Sequence, residues 1–263
     1  LLHETKELEI KEILNKVTYI WISHEHPDHF SVLFFKKFKS DIIRNSIEIF
    51  FQKTKDKRVF NFLKNQQFNC KELEINKEFK LSNNFSITCL KDGFYDSALL
   101  VNAEGEKILN LNDCEINSQK RINEIKEKTG EVDVLLTQFS FAAWKGGKKN
   151  IKWRKEAAKE KIETIKLQIK NFRPNYTIPF ASFIYFSNFE NSYLNDSINR
   201  PKDLLNELKD TSSNLTIMKP HDVLGGKEQN ISNVEAINFW EHKYNNINKK
   251  KLNYFEQISF EKI

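Results

Sequence analysis

Between Ser23 and His29 the chain reads Ser-His-Glu-His-Pro-Asp-His, placing three of its six histidines and an aspartate within six positions. An apolar run, Val17 to Ile22, precedes this stretch and reads as a buried strand; Ser31 to Phe38 follows and reads as a helix. Side chains alternate across an extended backbone, so His24 and His26 share a face where the strand ends. Asp28 and His29 lie where the chain turns into the helix and approach the same point from another side. Imidazole nitrogen and carboxylate oxygen are the donors that a borderline divalent ion such as zinc takes. The competing reading, a polar surface loop, would have to gather this many strong ligands by accident. We therefore expect His24, His26, Asp28 and His29 to hold metal.

The remaining composition narrows the field. With 263 residues, 39% of them apolar and 30% charged, the chain is long enough for one sizeable core or two small ones. The net charge of +6 comes from dispersed lysines, with clusters at 145–149 and 249–251. Neither cluster is interleaved with stacking aromatics, which argues against a nucleic-acid groove and for a solvated surface that suits small anionic substrates. Cys70, Cys89 and Cys114 are odd in number and far apart, so they form neither a disulfide framework nor a zinc knuckle. Reduced thiols fit a cytoplasmic protein. No apolar run approaches 18 residues, so no membrane span is expected, and the start carries no signal-peptide pattern.

Read in order, Glu4 to Lys16 suggests a helix with Leu8, Ile10, Ile13 and Leu14 inward. The motif strand and helix follow, then a strand at 47–51 and a helix at 56–65 capped by Asp56, an α/β alternation. From Cys70 to Leu90 the period falls to two, with Asn83-Asn84 as a turn, and a further strand pair spans 98–101 and 107–111. A helix at 117–128 ends at Gly130. A strand at 132–137 leads to the longest helix, 151–172, whose Ala158, Ile162, Ile165, Ile169 and Phe172 form one apolar stripe. Strands at 176–180 and 215–218 flank a helix opened by Pro201. We place one domain over 1–232 and a C-terminal extension over 233–263.

Asp113 closes the strand Lys107 to Leu111. It reads either as a further metal ligand at a strand end or as a turn carboxylate capping the next helix. Between Leu90 and Ser97 there is no histidine; Asp92 or Asp96 could supply a carboxylate there, and we assign Asp92. His221 and His242 are the late histidines, and surface positions suit both better than ligation.

The His-x-His-x-Asp-His signature after a buried strand resembles the metallo-β-lactamase superfamily. Tyr19 to His24, Lys107 to Asn110 with Asp113-Cys114, Leu1 to Glu4, and Pro179-Phe180-Ala181 resemble the metallo-β-lactamase-like part of the CMP-N-acetylneuraminic acid hydroxylase family, over residues 1 to about 226. The resemblance implies an αββα metallo-β-lactamase sandwich of the α/β (α+β) class, lacking its first N-terminal strands because the motif strand begins at Val17. It implies Asp113 as a ligand bridging two ions, and one or two zinc ions, with iron or manganese as alternatives. The implied chemistry is a metal-bound hydroxide attacking an ester, amide or phosphodiester, with Asp28 orienting the water. Two alternatives stand beside it. One is a CMP-N-acetylneuraminate hydroxylase-like oxygenase acting on a sugar nucleotide with a Rieske iron–sulfur domain in cis or trans; such a centre needs two Cys and two His that this chain does not supply. The other is an inactive module that keeps the metal and has lost turnover.

Overall fold

The computed structural model describes residues 4–180, 183–227, 229–247 and 252. Leu1 to His3, Ala181 and nearly all of the expected extension beyond Ile247 lie outside the described residues.

Two β-sheets stack face to face with helices on both outer sides. The smaller sheet is parallel, in the order β1 (Tyr19–Ile22), β2 (Glu48–Gln52), β3 (Cys70–Leu73). Parallel neighbours need a crossover, and here helices supply it: α2 (Val32–Lys37) and α3 (Lys39–Arg44) between β1 and β2, and α4 (Arg58–Asn65) between β2 and β3. With α1 (Glu7–Leu14), these helices cover the outer face. A parallel strand covered on both sides needs apolar side chains on both. In β2, accordingly, Ile49 and Phe51 pack outward under the helices, and Phe50 packs inward against the second sheet.

The larger sheet runs β10 (Asn214–Leu215), β9 (Tyr176–Pro179), β8 (Val134–Thr137), β7 (Glu106–Asn110), β6 (Ser97–Ala103), β5 (Phe85–Lys91), β4 (Glu78–Ser82). β4 to β7 form an antiparallel meander, and β7 to β10 are parallel. α5 (Gln119–Thr129), α6 (Ile151–Phe172) and α7 (Pro201–Leu208) make the crossovers. The α6 stripe expected from its spacing is the buried one: Ile162, Ile165 and Ile169 pack with Phe139 and Leu204. Between the sheets, Phe50 and Leu73 meet Ile87, Cys89 and Leu99. The small sheet thus covers the β5–β6 half of the large one. Over β7 to β9, Ile108, Val134, Leu136 and Ile178 floor an open groove of ≈ 710 Å³.

Several local expectations change. Leu8 and Ile13 are 68% and 50% exposed, because the short α1 buries only Leu14 among its residues. Asp56 accepts from the Arg58 amide at 3.3 Å but is not the cap; Lys57 is, in the left-handed region at φ +57°. The stretch after Ser232 carries α8 (Asn233–Ile247), whose Ala236, Trp240 and Tyr244 are buried; Ala236 and Trp240 pack with the α6–α7 core. Cys70, Cys89 and Cys114 are free and buried. Among the described residues no helix is long and apolar enough to cross a membrane.

Candidate metal centre

The sequence motif sits where β1 runs out. The Ser23 carbonyl accepts from Gln52 Nε2 at 2.9 Å and Ser97 Oγ at 2.6 Å, which ties this strand end to β2 and β6. Beyond it the chain turns at once: the His29 and Phe30 amides both donate to the His26 carbonyl, at 2.9 and 2.7 Å. The Ser31 hydroxyl then caps α2 by accepting from the Phe34 amide at 3.2 Å. Strand end, tight turn and helix start therefore fold three imidazoles onto one point. The ring centroids of His26 and His29 lie 4.5 and 4.2 Å from that of His24.

Two groups of ligand atoms result. His24, His26 and Asp96 form one, and His24, His29 and Asp113 the other, with the atoms of each within 4.8 Å of one another. His24 is fully buried and belongs to both. Its Nε2 is 2.9 Å from His26 Nδ1 and 3.5 Å from Asp96 Oδ1. His29 Nε2 is 3.0 Å from Asp113 Oδ2. The Ser23 hydroxyl meets Nδ1 of both His24 (2.9 Å) and His29 (3.3 Å), leaving each ring to present Nε2 to the cluster. Sequence reasoning quoted Ser23 within the motif and gave it no role; its position directly before His24 was the available signal.

Asp113 arrives from the far side. β7 ends at Asn110, and Asn112 takes φ +52°, a left-handed conformation that asparagine tolerates better than most residues. The Asn110 side chain braces this turn by accepting from the Asn112 amide at 3.0 Å. Asp113 thus faces the histidines at a strand end and does not cap α5, whose cap is Ser118. Gln138, just past β8, donates to Asp113 Oδ1 at 3.0 Å, and Lys161 on α6 donates to Gln138 Oε1 at 2.7 Å.

The structure does not bring Asp92 to the cluster. It accepts from Arg121 Nη2 at 2.5 Å and from the Glu115 amide at 2.9 Å, so α5 claims its charge. Asp96, four positions on in the same turn, stands beside His24 instead. Asp28 is 77% exposed, with Oδ2 3.6 Å from His29 Nε2, at the rim. His221 is exposed, and His242 pairs with Asn246 on an exposed face of α8.

The electrostatics separate the two branches. Burial and the neighbouring His29 push the His24 imidazole below its ordinary pKa, keeping it neutral as a ligand must be. The hydrogen bond to Asp113 pulls His29 up. Burial would raise the Asp113 carboxyl, but the hydrogen bonds and charge of His29, with Gln138, bring it down overall. Asp96 Oδ1 is a buried atom with no hydrogen-bond partner. A carboxylate oxygen left so beside an imidazole nitrogen is one that a bound cation would satisfy, and the N/O donor set fits zinc or iron. The cluster opens into a cleft of ≈ 550 Å³ lined by Trp21, Asp28, His29, Asn112, Asp113 and Phe183, among others.

No family model matches the chain. The cytidine monophosphate-N-acetylneuraminic acid hydroxylase of Macaca mulatta is 27% identical over 233 residues, covering 82% of this chain and 38% of that protein. The Homo sapiens protein described as an inactive hydroxylase of the same kind is also 27% identical, with 82% and 45% covered. The chain thus spans less than half the length of these curated relatives. Among solved structures, CmlA, a diiron β-hydroxylase from Streptomyces venezuelae, superposes with a TM-score of 0.53 at 12% identity, over 76% of this chain and 44% of that one. The metallo-β-lactamase fold protein YhfI from Bacillus subtilis gives 0.50 at 14% identity, over 78% and 76%.

Proposed function

From a chain with the metallo-β-lactamase fold, we propose an enzyme domain whose His24, His26, His29, Asp96 and Asp113 hold one or two divalent ions beside a substrate cleft. The single observation that carries this reading is the meeting of five N/O donors from three separate segments in two groups that share His24. A divalent ion held there would supply Lewis-acid polarisation and would lower the pKa of a bound water.

The chain's own residues do the rest. Ser23 holds both Nδ1 atoms, so the two rings would offer Nε2 to an ion. Asp28, at the rim, orients an incoming water and accepts its proton. Phe180, Phe183 and Ile184 form an apolar wall that limits bulk water on one side of the cleft, while Asn110, Asn112 and Gln138 offer polar contacts to an anionic substrate. Hydrolysis of an ester, amide or phosphodiester needs nothing beyond these groups. The buried free thiols favour a reducing, cytoplasmic setting.

A second reading is supported by the curated relatives. It makes this domain the substrate-holding part of a hydroxylase for a CMP-sialic-acid-like sugar nucleotide, with electrons from a Rieske iron–sulfur partner. The two readings part on metal and substrate. Chelator-stripped protein is titrated with Zn2+ and with Fe2+, then assayed on a chromogenic phosphodiester and for binding of CMP-N-acetylneuraminate. Zn2+-dependent hydrolysis abolished in Asp113→Ala carries the first reading. Iron occupancy with tight nucleotide binding and no hydrolysis replaces it with the second. Less than about a tenth of an equivalent of either metal, at the micromolar or tighter affinity such ligands give, overturns both.

A further inference from the structure

Behind Asp113 runs a chain of hydrogen bonds whose direction is fixed at both ends. The Lys161 ammonium has only donors, so it must meet the oxygen of the Gln138 amide, and it does so at 2.7 Å. That leaves the amide nitrogen on the opposite side, where a carboxylate has only acceptors; Gln138 Nε2 donates to Asp113 Oδ1 at 3.0 Å. With Oδ1 occupied, Oδ2 is the oxygen turned to His29 Nε2 at 3.0 Å. Neither the amide nor the carboxylate can rotate without breaking a bond to a charged group, and such bonds are about twice as strong as neutral ones.

Lys161 is an unusual residue to find in this place. Burial pulls its ammonium below the ordinary lysine pKa, and its neighbours on α6, Ala158, Ile162 and Ile165, are core residues. Desolvating an ammonium is costly unless it is hydrogen-bonded. Its nearness to a cation site makes matters worse by Coulomb repulsion. The Glu115, Asp113 and Glu160 carboxylates offset part of these costs, and the ammonium donates a hydrogen bond to Gln138 Oε1 at 2.7 Å.

We propose that Lys161 and Gln138 are positioning residues that set the rotation of Asp113, so that one carboxylate oxygen faces the metal and the other is held back. The inference rests on the metal-centre reading above. It makes a prediction opposite in sign to that of charge alone. By Coulomb's law, deleting a positive charge near a cation site tightens cation binding. By positioning, Lys161→Met frees the Gln138 amide, lets Asp113 turn, and weakens binding. Loss of such outer partners typically costs about 10- to 100-fold in metal affinity.

The test is a Zn2+ competition titration against a chromogenic chelator, on the full chain, for wild type, Lys161→Met, Lys161→Arg, Gln138→Leu and the Lys161→Met/Gln138→Leu double variant. Metal-free melting curves confirm that each is folded. We expect Lys161→Met and Gln138→Leu each to weaken Zn2+ binding by about 10-fold or more. Lys161→Arg, which still donates, should restore most of the affinity. The double variant should bind no more weakly than Gln138→Leu alone, because Lys161 acts through Gln138. Unchanged or tighter binding in Lys161→Met, or additive losses in the double variant, would overturn the inference while leaving the metal centre standing. Should Lys161→Met fail to fold, undiminished affinity in Gln138→Leu overturns it equally. A wild-type chain that binds neither Zn2+ nor Fe2+ removes the metal-centre reading itself, an outcome visible before any variant is compared; one that takes only Fe2+ moves the same comparison of variants to Fe2+.

Discussion

The two halves of the proposed metal centre share His24 and differ in what stands behind them. On one side, Asp113 is fully engaged: Oδ2 with His29, Oδ1 with Gln138, and Gln138 with Lys161. It is mounted at the end of β7, next to β8, with α6 at its back. On the other side, Asp96 sits in the 92–96 turn, and its buried Oδ1 has no hydrogen bond, only the His24 Nε2 at 3.5 Å. His26 in the same half is exposed. The Asp113 half is organised before any ion arrives; the Asp96 half carries an unsatisfied oxygen that an ion would relieve. The difference teaches that a candidate ligand set can be assembled unevenly, with one wall braced by hydrogen bonds and one that holds an oxygen with none.

The largest expected effect strikes both halves at once. His24→Ala removes the shared ligand and should weaken Zn2+ binding by about two to three orders of magnitude, a single ligand's share of the total metal-binding free energy. Chelator competition measures it. Retention of tight binding would show that the halves are independent sites. Next comes the contrast itself. Asp113→Asn should weaken binding more than Asp96→Asn in the same titration. In the metal-free protein the two should also differ in stability. Asp113→Asn loses charge-assisted bonds from His29 and Gln138 and should cost about 1–3 kcal/mol. Asp96→Asn discards the charge of a half-buried carboxylate whose Oδ1 has no hydrogen bond and only the 3.5 Å approach of His24 Nε2, and should change the melting temperature little. Equal losses of metal-free stability would dissolve the distinction.

How far the sequence disclosed this uneven site follows from the distance between partners. His24, His26, Asp28 and His29 lie within six positions, so the alternation of a strand and one turn are enough to gather them. Asp113 was readable as a strand-end carboxylate, though its alternative as a cap was settled only by Ser118 taking that place. Asp92 and Asp96 could not be separated by eye, since both belong to one turn between β5 and β6. What separates them is Arg121, which captures Asp92, and Ser97, whose hydroxyl bonds the Ser23 carbonyl and so draws Asp96 towards His24. The Lys161–Gln138 contact joins α6 to the end of β8, and no periodicity within either element reveals it. α8 was hidden for a different reason. Its buried Ala236, Trp240 and Tyr244 recur at helical spacing, but Asn233, Asn238, Asn245 and Asn246, poor helix formers, lower the helical signal that composition gives.

A smaller effect tests whether the halves are tied together. Ser23 touches Nδ1 of both shared and partner rings, so Ser23→Ala should loosen His24 and His29 together. About 10-fold weaker Zn2+ binding is expected, the lower range for an outer hydrogen-bond partner. If the loss in Ser23→Ala disappears in an Asp113→Asn background, the hydroxyl serves only the Asp113 half, and the shared role of His24 must be reconsidered.

The smallest effect concerns the other end of α6, the helix that backs the Asp113 half. Arg154 is fully buried, donating to Asp196 at 2.9 and 2.6 Å and to the Gly147 and Lys148 carbonyls at 2.7 and 3.2 Å. It therefore pins the start of α6 to the loop before it and to the segment carrying Asp196. The hydrogen bonds from Arg154 hold the Asp196 carboxyl below its ordinary value of 3.8. The folded protein thus binds this proton less readily than the unfolded chain does. Its stabilising contribution is complete above that ordinary value and is lost as pH falls through the lower, folded one. Asp196 is more than one-third exposed, so solvent screens the pair and the effect is modest. Melting curves of the metal-free protein between pH 3 and 6 should show wild type losing stability below about pH 4 more steeply than Asp196→Asn, which starts lower and stays flatter. Parallel curves for the two proteins would mean that this tie does not hold α6, and that the rigidity of the Asp113 half comes from the Lys161–Gln138 link and the core stripe alone.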